Sequence, residues 1–145
     1  MWFVALPVLA GLNGCQDDNR ASVAQANQYV HQKARPPLPI PKTPADAEKL
    51  GLPVYKGSVL SDNAADMTLE ERKFSRVYAL KLYAPAEVDA VAKFYQDSLR
   101  DAYRMGSPEQ IVKGRNPLGD EVEVMLGAAS DHKKTVVLAW LTQPK

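Results

Sequence analysis

The sequence has little of what most recognisable activities require. It has one cysteine among 145 residues, so no internal disulfide is possible and the thiol must be explained some other way. It has two histidines, His31 and His132, too few and too isolated for a zinc site, which needs three or four ligands with close pairs. We read both as solvated, including His132 beside Asp131. The eight glycines are scattered, and no Gly-x-Gly-x-x-Gly or Walker-type loop can be assembled from them. No serine lies in a Gly-x-Ser-x-Gly turn. Net charge is only +1 and no dense basic stripe occurs, which argues against nucleic acid as a partner. The one strongly apolar run, residues 1–12, is too short to span a bilayer. Catalytic residues, metal and cofactor are therefore all expected to be none, and we expect a protein that is not an enzyme.

What is present is a globular balance, 46% hydrophobic and 24% charged, in a chain with room for one domain. Prolines punctuate it at Pro36, Pro37, Pro39, Pro41 and Pro44, a density that favours extended polyproline II. Before them, residues 16–35 are polar with a thin helical stripe of Val23, Ala26, Val30 and Ala34. We therefore expect residues 15–42 to be an N-terminal segment with a proline-rich tether, and 43–145 to be a single domain.

Cys15 directly follows the apolar run, and Leu12-Asn13-Gly14-Cys15 resembles the lipobox of bacterial lipoproteins. The resemblance covers the first fifteen residues. It implies that residues 1–14 are a signal peptide removed on export, and that the Cys15 thiol carries a diacylglycerol. Several fatty acyl chains, palmitate among them, hold a protein at a membrane far better than one, each buried methylene adding about 0.8 kcal/mol. The resemblance implies a lipid-anchored protein of the bacterial cell envelope. Gln16, where an aspartate would favour the inner membrane, favours the outer membrane facing the periplasm.

Within the domain, Thr43-Pro44-Ala45-Asp46 predicts a short helix with a hydroxyl cap, ended by Gly51. Residues 54–60 read as a strand interrupted near Lys56-Gly57, and 61–71 as a polar loop. From 73 to 83 the pattern alternates, with Phe74, Tyr78, Leu80 and Leu82 on one face. Pro85 opens the strongest helix, with Val88, Val91, Ala92, Tyr95 and Leu99 as its buried stripe and Arg100 and Arg104 at or just beyond its last turn. Strands follow at 110–113, 121–126 and 135–141. The expected fold is α+β, an antiparallel sheet of about five strands with one main helix packed on one face, in the order ββαβββ.

Two features bear on function. Glu121 and Glu123 share a strand face, an arrangement that an exposed surface explains without catalysis. The last strand is apolar on both sides, with Val136, Leu138 and Trp140 on one and Val137, Ala139 and Leu141 on the other. Either the segment before Pro53 covers the second face, or that face is open to a partner. We take Val137, Ala139 and Leu141 as the candidate partner-binding face. Tyr55-Lys56-Gly57 with Phe94-Tyr95 and Leu99 also loosely resembles small envelope modules without assigned function. The expected role is a non-catalytic binding or assembly module, anchored in the membrane and engaging an envelope protein. The alternatives are a carrier of a small apolar ligand and an enzyme without a recognisable motif.

Overall fold

The computed structural model describes residues 35–106, 110–131 and 133–145. Cys15, the signal segment, the stripe Val23 to Ala34, His31 and His132 lie outside them. The described chain forms one compact unit, Pro36–Lys145.

Helix α1 spans Pro44–Leu50, as the capping signals predict. The Thr43 hydroxyl accepts from the Asp46 amide at 3.1 Å, and proline at the first helical position lacks only a donor that would have had no partner. Gly51 ends the helix at φ 109°, where the Gly51 and Leu52 amides donate back to the Glu48 and Ala47 carbonyls. A Cβ there would lie 2.5 Å from the Asn116 amide nitrogen, so glycine is required twice over.

Seven strands follow: β1 (Val59–Leu60), β2 (Thr68–Glu71), β3 (Ser75–Ala84), β4 (Arg100–Met105), β5 (Gln110–Arg115), β6 (Glu121–Ala128) and β7 (Thr135–Pro144). They form a single antiparallel sheet ordered β1-β3-β7-β6-β5-β4, with β2 also pairing β3. The main helix, α2 (Val88–Ser98), connects β3 to β4. The α+β class with an antiparallel sheet therefore stands, with seven described strands in place of about five.

Two of those strands fall where none was expected. β2 is short and polar, Thr-Leu-Glu-Glu, inside the segment read as a loop. β4 takes over Arg100 and Arg104, which the sequence pattern places at or just beyond the helix terminus. Leu99 is already extended, and a bulge between Arg100 and Tyr103 with Asp101 at φ 52° interrupts the alternation by which a strand is recognised. The helix also starts three residues after Pro85. Arg104 reaches back from β4 and donates to Asp89 in the first turn of α2 at 2.7 Å, and Arg104 and Asp89 both bond the Gln110 side chain.

Val91, Ala92, Tyr95 and Leu99 pack from the helix side against Val112, Val122, Val124 and Leu126. Gly114 on β5 leaves room for the residue that ends the helix, since a Cβ there would sit 2.7 Å from Leu99 Cβ. Tyr78, Leu80 and Leu82 of β3 and Leu141, Ala139 and Val137 of β7 are paired in register and belong to the same core, capped by Ala47, Leu50 and Leu52. Phe74 does not join them. It occupies the turn between β2 and β3 and is 74% exposed, with the Lys73 ammonium 5.1 Å from its ring centroid.

The proline-rich run is not a free tether. The Tyr78 hydroxyl, on a fully buried side chain, accepts from the Leu38 amide at 3.1 Å and donates to the Leu38 carbonyl at 2.7 Å. Pro41 is buried. Residues 36–42 thus belong to the folded unit, which begins at Pro36 and not at Thr43. Extended backbone with few donors suits a strap that needs only one pair of hydrogen bonds to be held.

Candidate functional site

The same alternation that fills the core sorts the opposite side of the sheet. Val137, Ala139 and Leu141 are each 1% exposed and belong to the core, so the candidate face named from sequence is the wrong one of the two. Period two cannot say which set of a doubly apolar strand meets the helix. The segment before Pro53 packs on the same face as α2: Leu50 and Leu52 are in the shared core, and the Gln143 side chain, buried between them and the sheet, donates to the Leu50 carbonyl at 3.4 Å. Both α-helices therefore leave the outer face, carrying Val136, Leu138 and Trp140, uncovered, the 3-10 turn Ala64–Asp66 touching it only at its Lys81 end, and all three side chains are partly exposed.

Strand register arranges this outer face in rows that cross the sheet. One row runs Tyr103, Lys113, Glu123, Trp140, Ala79 and Thr68 over six strands. A second runs Met105, Ile111, Met125, Leu138 and Lys81. A third, at the far end of the first, holds Arg100, Arg115, Glu121 and Thr142. One end of the face is thus apolar and rich in methionine, a side chain that adapts to irregular partners. The other end is charged and flanked by two aromatic rings. Tyr103 and Met105, on the edge strand, are its most open large hydrophobic members at 53% and 44%.

The charges are not loose. Lys113 Nζ lies 3.4 Å from Glu123 Oε2, and Arg115 lies 3.7 Å from Glu121 Oε1. These cross-strand pairs account for the carboxylates visible in the sequence. Each is bound to a cation on the neighbouring strand, and together they line a groove of about 390 Å³ with Tyr103, Trp140, Asp101 and Thr142. Half-exposed pairs of this kind each contribute about 0.2–1 kcal/mol and fix register and orientation more than they stabilise.

The other polar clusters hold the fold together. Asn116 is fully buried at the β5–β6 turn. Its carbonyl oxygen accepts from the Leu118 and Asp120 amides, and its amide nitrogen donates to Asp120 and to the Gly51 carbonyl. At the C-terminal end, Lys145 Nζ lies 2.6 Å from Glu71, which also faces Arg76. Lys145 foremost, with Arg76, holds the Glu71 carboxyl below its ordinary range. Tyr95 lies edge-to-face with Phe94, which in turn meets Tyr55, and burial pushes the Tyr95 phenol well up. Among the described residues there is no group of three or more His, Cys, Asp or Glu that could hold a metal ion, and no helix long and apolar enough to cross a membrane.

No family model matches the chain, and no curated protein or solved structure matches it significantly.

Proposed function

We propose that the chain is a bacterial envelope lipoprotein, acylated at Cys15 and sorted to the outer membrane facing the periplasm, whose domain is a non-catalytic binding or assembly module. The reading of Cys15 rests on the apolar run and the Leu12-Asn13-Gly14-Cys15 motif. The binding role rests on one observation: the outer sheet face presents Met105, Ile111, Met125, Leu138 and Trp140 while both α-helices pack on the other side. A contiguous apolar patch rimmed by ordered charge is what an interaction surface presents. Burying about 400 Å² of it at roughly 25 cal/mol per Å² would contribute about 10 kcal/mol before association costs, which consume most of that sum and leave a modest affinity. An anchor makes modest affinity sufficient by confining both partners to one surface.

The test has two arms. Cys15→Ser should move the protein from the detergent-extracted to the aqueous fraction and abolish the acyl mass increment. Leu138→Lys should abolish recovery of crosslinked partners from intact envelopes. A Cys15→Ser protein that stays membrane-bound removes the anchor, and unchanged partner recovery from the Leu138→Lys protein removes the face.

A further inference from the structure

Resting on the reading of the outer face as a binding surface, we infer that its partner is a second copy of this chain. The two copies dock face to face about a two-fold axis parallel to the strands, above the seam between β5 and β6. The argument is the order of residue types across that seam. In the first row, Tyr103 and Lys113 stand on one side and Glu123 and Trp140 on the other, so an aromatic ring flanks a cation and an aromatic ring flanks an anion. In the second row, Met105 and Ile111 face Met125 and Leu138 across the same seam. The third places Arg115 against Glu121. The first two rows thus repeat residue class across the seam, and the pairs Lys113–Glu123 and Arg115–Glu121 invert charge across it, while the outer ends of the third row, Arg100 and Thr142, do not match.

Inversion of charge with repetition of shape is the requirement for a self-complementary surface, in which one patch meets its own copy. The rotation carries β5 over β6 and β4 over β7 without changing height along the strands. Lys113 then meets Glu123 of the second copy, Arg115 meets its Glu121, Tyr103 meets its Trp140, and Met105 meets its Leu138. Every cation keeps its own anion and gains a second. The competing two-fold axis, perpendicular to the strands, sets β5 on β5 and brings Lys113 toward Arg115 of the second copy, which repels. The twist permits either axis, since a two-fold along or across the strands superposes a saddle-shaped surface on a parallel one, so the charges make the choice.

The overlap is four strands wide and about five residues deep, roughly 300–400 Å² of sheet per copy at ordinary strand spacings. That is well under the roughly 800 Å² per partner of a standard interface. The dimer is accordingly weak, with a dissociation constant on the order of 100 µM in solution, and forms where copies are concentrated on a membrane.

The experiment is sedimentation of the full chain in detergent from micromolar to millimolar concentration, with Lys113→Glu and Glu123→Lys proteins run separately and as an equimolar mixture. Wild type should dimerise, each variant alone should associate about ten-fold more weakly because like charges then meet, and the mixture should recover the wild-type constant. Thermal melts verify that each variant is folded, and Arg115→Glu with Glu121→Arg supplies a second swap if one is not. A wild-type chain monomeric throughout, or a mixture no better than its components, overturns the inference. If the chain is monomeric while Leu138→Lys still abolishes capture of a different envelope protein, or while residues 16–34 of the same chain crosslink to the face, the occupant is wrong and the surface stands. If Leu138→Lys changes nothing, the surface falls as well.

Discussion

The Tyr78 phenol holds Leu38 at both ends of its peptide group, accepting from the amide at 3.1 Å and donating to the carbonyl at 2.7 Å across forty residues of sequence. This pair joins the proline-rich strap to the centre of β3. Tyr78→Phe keeps the ring in the core and removes both bonds, so it should cost about 1–2 kcal/mol in denaturant unfolding. Protease cleavage within residues 35–42 should be faster in the variant than in the wild type. A variant as resistant as the wild type would show that packing of Pro41 alone holds the strap.

Leu138 and Val137 are neighbours in sequence and opposites in space. Val137→Lys places an ammonium in the core beside Leu82 and Leu126 and should abolish cooperative folding, an effect of several kcal/mol. Leu138→Lys points outward and should leave the melting midpoint within about 1 kcal/mol of stability. Comparing the two melts checks the assignment of faces independently of any partner.

Gly51 and Asn116 meet where α1 ends against the β5–β6 turn. Gly51→Ala must adopt a left-handed backbone and displace the Asn116 amide, which together should cost about 2–3 kcal/mol. Asn116→Ala leaves the Leu118 and Asp120 amides and the Gly51 carbonyl without their partner and should cost about 2–4 kcal/mol. Because both changes act at one contact, the double variant should lose less than the sum, as a thermal double-mutant cycle would register.

Arg104, and then Gln110, hold the Asp89 carboxyl below its ordinary value of 3.8. A carboxylate with a depressed folded value contributes stability that is complete above the unfolded value and lost as pH falls through the folded one. The difference in melting temperature between wild type and Asp89→Asn should therefore be constant from neutral pH to about pH 5 and shrink below pH 3.8. A difference that vanishes already above pH 5 would mean that the contact with Arg104 is not formed.

Much of the frame was legible because its signals are local. Thr43, Pro44 and Gly51 bound α1 through capping chemistry that acts within four residues. The buried side of α2 followed from periodicity at Val91, Ala92 and Tyr95. β2 and β4 carry no such signal, because edge strands are rich in polar residues and the bulge near Asp101 breaks the alternation that marks a strand. The candidate site was half legible. That β7 is apolar on both sides was plain, but the choice between Val137 and Leu138 was not.

The sequence by itself determined the elements that depend on neighbours along the chain: the capped helix α1, the amphipathic α2, the alternation of β3 and β6, and the motif at Cys15. Tertiary structure alone decided which side of β7 is core, because α1, the strap and α2 all settle on one face, and that depends on contacts such as Tyr78 with Leu38 and Gln143 with Leu50 that are distant in sequence. It also decided that Tyr103, Lys113, Glu123 and Trp140 form one row. Register between four strands has no local signal, since a slip of one residue leaves each strand's own pattern intact and sends every side chain to the other face.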